Sequence, residues 1–134
     1  MDTITVQWLE KLIKETACSG VEFSSGILQV IFDKRRLVIQ SSWRLINNSE
    51  IVIASDSDSE HFEIANMLLN KMIVEKVSID SAFNDLEIHF GAEVLIQSFA
   101  DSEKYEHWYF TGGPEEMIVA GPGKLCSAFQ PPKQ

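Results

Sequence analysis

The residues whose types could do chemistry are three histidines, two cysteines, two glycine-rich turns and one short run of acids. His61, His89 and His107 stand 28 and 18 residues apart, so no pair has the close spacing of a metalloprotease or zinc site. Cys18 and Cys126 lie near opposite ends of the chain, which excludes a CxxC metal or redox motif. Neither cysteine has an activating histidine beside it, and the single Lys124 near Cys126 is too little to generate a thiolate. Both read as small buried hydrophobes. Gly112-Gly113-Pro114 and Gly121-Pro122-Gly123 read as turns, because no Lys-Ser/Thr pair or capped helix follows either of them. Asp56-Ser57-Asp58-Ser59-Glu60 has the alternating acids of a calcium loop but lacks the glycine at position six and the glutamate at position twelve. It reads instead as a helix start. No catalytic, metal or cofactor site is expected, and the chain is read as a non-enzyme.

Charge is the stronger signal. The formal net charge is −9 over 134 residues, and it is unevenly placed. Residues 1–55 carry six acids and six bases, whereas residues 56–116 carry fourteen acids against Lys71, Lys76 and Lys104. So acidic a segment is repelled by phosphate backbones and by anionic lipid, which argues against nucleic-acid and membrane partners. It would attract and steer a cationic protein. The start Met1-Asp2-Thr3-Ile4 has neither the basic nor the apolar region of a secretory signal, and no apolar run approaches the roughly 20 residues that span a bilayer. A cytoplasmic location is the expectation.

The elements that must position these residues follow from periodicity. Val6, Trp8, Leu9, Leu12 and Ile13 predict an amphipathic helix over Thr5–Ala17, supported by a Glu10–Lys14 pair and stopped by Gly20, with Trp8 in the core. From Val21 the period becomes two. Ile27–Phe32 is an apolar strand, and Leu37, Ile39, Ser41, Trp43 and Leu45 alternate as one continuous strand with Trp43 on its apolar face. A turn at Asn47-Asn48-Ser49 leads to a short strand over 50–55. A capping box of Ser57 and Glu60, reinforced by Asp58 and Glu63, opens a helix over 57–73 with Phe62, Ala65, Leu69 and Met72 on one stripe, widened by Ile64 and Leu68. Val77 and Ile79, then Leu86, Ile88 and Phe90, then 93–99 give further strands, the last two forming a hairpin with one acidic face. His107–Thr111 and Met117–Ala120 are two more. The chain is read as one domain over 1–134: N-terminal helix 1–20, first strands 21–55, central helix 57–73, second strands 74–127, tail 128–134. The fold class is α+β, with an antiparallel sheet or a sandwich and the central helix packed on a sheet.

A partner-binding surface is then assembled from the exposed acids. Asp58, Glu60 and Glu63 of the central helix, Asp85, Glu87 and Glu93 of the hairpin, and Asp101, Glu103 and Glu106 of the following loop are the candidates for one acidic patch. Trp108 stands beside that loop, either as an aromatic anchor or as core.

Ser42-Trp43-Arg44-Leu45, the acidic start of the central helix, Asn84-Asp85-Leu86-Glu87-Ile88-His89-Phe90, Trp108-Tyr109-Phe110 and Val119-Ala120-Gly121-Pro122-Gly123 occur in an order that resembles small bacterial immunity proteins of contact-dependent inhibition and polymorphic toxin systems. The resemblance spans residues 25–123. It implies a cytosolic antidote that binds the C-terminal domain of a cognate toxin, often a nuclease, and blocks its cationic cleft. Trp43, Leu86, Ile88 and Phe90 would then be scaffold. The other expectation is a structural or adaptor domain that acts by homo-oligomerisation through Trp8 or Trp108.

Overall fold

The computed structural model describes residues 3–80, 85–91, 93–99, 107–113, 116–120 and 126–129. Among them the chain forms two α-helices and eleven strands, α1 (Thr3–Lys14), β1 (Gly20–Ser24), β2 (Ile27–Phe32), β3 (Arg35–Ile39), β4 (Ser42–Asn47), β5 (Glu50–Ala54), α2 (Phe62–Leu69), β6 (Lys76–Ile79), β7 (Leu86–His89), β8 (Val94–Phe99), β9 (Trp108–Gly113), β10 (Glu116–Ala120) and β11 (Cys126–Phe129). The strands make two antiparallel sheets, ordered β1-β2-β3-β9-β10-β11 and β5-β4-β8-β7-β6. The α+β class, the N-terminal helix and the β7–β8 hairpin are as expected from the sequence.

Local chemistry explains the turns. The β1–β2, β2–β3 and β4–β5 links are two-residue hairpins. Ser25 and Gly26 (φ 51° and 80°) and Asn48 and Ser49 (φ 53° and 64°) take the positive φ values that match the twist of the flanking strands.

The predicted continuous strand over 37–45 is in fact two strands in different sheets. β3 pairs with β9 and β4 pairs with β8, so β3–β4 and β8–β9 form one two-stranded ribbon that bends from sheet to sheet. At the bend the Gln40 and Ser41 amides both donate to the His107 carbonyl, at 2.8 and 3.0 Å, and the His107 amide donates to Ala120 O. The Ser41 and Ser98 hydroxyls bond each other at 3.1 Å in the interior. Period-two alternation runs unbroken through the bend, because Leu37, Ile39, Ser41, Trp43 and Leu45 all face the same core. A sequence pattern that reports only inside and outside cannot register such a corner.

One core fills the space between the inner faces, built around Trp43, Trp108, Phe32 and Phe110 with aliphatic residues from both sheets and α1. The helices lie at the sheet edges. α1 contacts β6, where Glu10 accepts the Val77 amide at 2.8 Å while also pairing with Lys14 as expected. α2 contacts β1 and β5, one edge of each sheet, so it bridges edges where the sequence suggested packing on a sheet face. Covering these edges removes templates for unwanted strand pairing. α1 ends at Lys14, before the expected Ala17, and Gly20 begins β1. β11 occupies residues that had been read partly as tail.

Arg35, at the start of β3, clasps α1 to the six-stranded sheet. It donates to Glu116 on β10 at 2.8 Å, to Glu15 just past α1 at 2.5 Å and to the Leu12 carbonyl at 3.5 Å. The hydrogen bonds to Glu116 raise the guanidinium above its ordinary range against the opposing effect of burial, and Glu15 adds to the rise. Gly112 leaves room for this pair, since a Cβ there would fall on the Glu116 carboxylate and lie 3.0 Å from Arg35 Cγ. Gly112→Ala should therefore cost about 1–2 kcal/mol in urea denaturation by parting Arg35 from Glu116. Adding Arg35→Met should then cost less than Arg35→Met alone, the remainder being its bonds to Glu15 and Leu12 O; fully additive losses would show that Gly112 does not act through the Arg35–Glu116 pair.

Candidate functional site

The structure separates the acids that the sequence grouped. Asp56, Asp58, Glu60 and Glu63 lead into and open α2, and all four are exposed. None of them makes an ion pair with a described residue. The expected capping box does not form. The Ser57 hydroxyl instead accepts the Ala54 amide at 2.9 Å, closing a turn off β5, and the chain passes through a 3-10 turn, Ser59–His61, before α2 begins at Phe62. Serine commonly makes such local bonds in competition with capping. The side chain of Ser57 is thereby committed to the turn, and the helix runs over Phe62–Leu69, well short of 57–73.

Three contacts hold α2 in place. Phe62 packs on Phe23 of β1 with centroids 5.1 Å apart, and Phe23 meets Trp43 of β4 edge-on at 5.7 Å. Asn66 Oδ1 accepts the Val21 amide at 2.8 Å. After the helix, the Lys71 amide donates to Cys18 O and the Cys18 amide to Met72 O, at 2.7 and 2.8 Å. Cys18 is buried, as expected, and burial pushes its thiol pKa up, which makes it a poor nucleophile. Ala65 and Leu69 are buried beneath the helix, with Phe62, Leu68 and Met72 half-buried. Ile64, expected to widen this stripe, lies on the opposite side and is 51% exposed.

The hairpin acids belong to a different surface. Counting from β5, where α2 packs, β4 and β8 intervene before β7, a lateral separation of about 14 Å at the usual strand spacing. Glu87 is half-buried and engaged: one carboxylate oxygen accepts from Gln97 at 3.0 Å and the other lies 3.1 Å from His89 Nε2. Gln97 in turn accepts from Arg44 Nε at 2.6 Å, and the Arg44 guanidinium sits over the Phe99 ring at 5.0 Å. The result is a polar ladder across β4, β8 and β7 that knits the outer face together. Asp85, just before β7, is also half-buried. Asp101, Glu103 and Glu106 lie outside the described residues.

Trp108 is not a surface anchor. It is completely buried, because residues 108 and 110 of β9 point inward with Ile118 and Ala120 of β10, leaving Tyr109 outside. Trp43, Leu86, Ile88 and Phe90 are buried in the core. Trp8, expected in the core, is half-buried against it.

Asp58, Glu60 and His61 each place one ligand atom within 4.8 Å of the others, all exposed. Clusters of this kind are ordinary on acidic surfaces. Two shallow hollows among the described residues are further candidates. One, of about 270 Å³, lies beside the Arg35 clasp and is lined by Thr16, Lys34 and Glu116 among others. The other, of about 390 Å³, lies between the β4–β5 turn and Glu93–Leu95. Of all these features, the acidic start of α2 combines exposure, unpaired charge and a firmly held backbone. Among the described residues, no helix is long and apolar enough to cross a membrane.

No family model matches the chain, and no curated protein or solved structure is significantly similar to it.

Proposed function

We propose that the chain is a binding protein of the immunity type, which captures a cationic toxin domain and neutralises it by presenting carboxylates where the toxin's own polyanionic substrate would sit. The observation that carries this reading is the set Asp58, Glu60 and Glu63. These acids are exposed, lack ion pairs among the described residues and lie on the segment leading into α2 (Asp58, Glu60) and on its first turn (Glu63), a helix that contacts an edge strand of each sheet. Carboxylates held in this way meet arginines and lysines with little ordering cost, and they speed encounter through long-range attraction. The net charge of −9 supports the same partner chemistry and opposes nucleic acid as a ligand.

The test is to co-express the tagged chain with the products of the flanking reading frames of its source genome. The expected result is stoichiometric capture of a basic domain, whose activity is lost in the complex. Affinity should fall steeply as salt shortens the Debye length from about 30 Å at 0.01 M to about 8 Å at physiological ionic strength. Failure to capture either product, or capture indifferent to salt, would overturn the reading.

A second reading, self-association, has one observation in its favour. On the outer face of the six-stranded sheet Met117 is 37% exposed beside half-buried Tyr109 and Val119, with the buried Val38 next in the row. Light scattering of the isolated chain decides it: a mass of 15.1 kDa rejects the oligomer, and a multiple supports it.

A further inference from the structure

Among the described residues, four of the five large exposed hydrophobic side chains lie on or next to α2. Ile64 and Met67 are 51% and 81% exposed on the helix, Ile73 is 57% exposed just beyond it, and Ile51 is 58% exposed on β5, against which the helix packs. Nothing in helix physics calls for them. An exposed position on an eight-residue helix is served at least as well by lysine, glutamate or glutamine, and isoleucine is a weaker helix former than these. Ile64 and Met67 are three residues apart and so share one side of α2, opposite the buried Ala65 and Leu69. On α2, Glu63 precedes Met67 by four residues, which places a carboxylate beside that apolar side chain, and Glu60 lies exposed in the 3-10 turn just before the helix.

That combination specifies an occupant. A second copy would bring the same carboxylates against themselves, and an anionic membrane or nucleic acid would be repelled by them. Methionine is a flexible, polarisable side chain suited to adapting to a partner's apolar surface. We infer that the outer side of α2 is a docking site in which Ile64 and Met67 receive an apolar side chain of a basic amphipathic protein segment, while Glu60 and Glu63 engage its flanking lysines or arginines. The inference rests on the reading of this chain as a protein-binding domain and deepens it. It adds that the partner's contact segment is amphipathic as well as cationic, and that apolar burial on α2 supplies the discrimination that charge alone lacks.

Two synthetic peptides of equal charge test it against the full chain, one alternating lysine with leucine and one alternating lysine with serine. Binding is followed by methyl NMR, reading Ile64 and Met67 directly. The expected result is that the leucine peptide binds about tenfold tighter, with its largest shifts at those two methyl groups. Ile64→Gln with Met67→Gln should erase the preference and leave the weak binding of the serine peptide unchanged. Both positions are exposed, so the doubly substituted chain should fold with an unaltered spectrum elsewhere. Equal affinity for the two peptides, shifts centred away from α2, or self-association of the chain through these methyl groups would each overturn the inference. The outcome is separable from the proposed function. Capture of a basic flanking-frame product that leaves the Ile64 and Met67 methyl groups unshifted would sink the docking site alone, whereas peptide discrimination without any such capture would sink the antidote reading alone.

Discussion

Trp108→Ala should destabilise the domain by about 3–5 kcal/mol, the usual cost of removing a large aromatic side chain from a packed interior. Trp108 is 0% exposed and lies in the β9 row with Phe110, opposite Ile118 and Ala120 of β10. Its backbone also pairs with Ile39 of β3, next to the bend where the ribbon leaves the six-stranded sheet. The side chain thus fills the core where both sheets depend on it, and a cavity there can collapse only by moving the bend. With domain stabilities of about 5–15 kcal/mol, such a loss approaches the point of unfolding. It should lower the thermal midpoint by roughly 10–20 °C. Urea denaturation with and without the substitution checks it, with Trp8→Ala as the comparison. Trp8 is only half-buried, so it should cost markedly less. A near-neutral Trp108→Ala would mean that this side chain is not packed as described.

Joint reversal of Asp58, Glu60 and Glu63 to lysine should slow association with the captured partner by about 10- to 100-fold at low salt, with a stability loss of only about 1 kcal/mol from placing lysines at the positive end of the α2 dipole. Each reversal changes the charge by two, so the three together take the chain from −9 to −3. The fold should tolerate them, because these side chains make no ion pair with a described residue and are exposed. The effect should appear in the association rate and fade as salt rises, since screening removes what steering supplied. Reversal of Glu87 is a different experiment. Its carboxylate is held by Gln97 and lies against His89, so the expected outcome there is loss of stability before any loss of binding. Unchanged association rates in the α2 triple variant would remove these acids from the interface.

Much of the architecture was legible because burial imposes a period. The alternation of Leu86, Ile88 and Phe90, and of the 94–99 segment, announced the hairpin and its inner face, and the structure buries those three residues. The turn read at Asn47-Asn48-Ser49 is a hairpin whose Asn48 and Ser49 take positive φ. The distribution of acids pointed to a cationic partner without any coordinates, since charge is a property of composition. Ser57 shows where this ends: one hydroxyl could cap a helix or close a turn, and the position of Ala54 at the end of β5 decided for the turn.

What the sequence by itself determined is therefore local and periodic: the α+β class, the strand segments, the aromatic scaffold and the charge. Tertiary structure alone decided matters that depend on contacts between distant residues. It bent the 37–45 segment into two sheets, turned Trp108 inward and Tyr109 outward, and joined Arg35 to Glu116, 81 residues away. It also divided the acids between an open set around the start of α2 and the engaged Glu87 of the β7 ladder, and left Ile64 and Met67 facing out. Alternation says that one side of a strand or helix is buried, but when both sides carry apolar residues only the packing partners choose which.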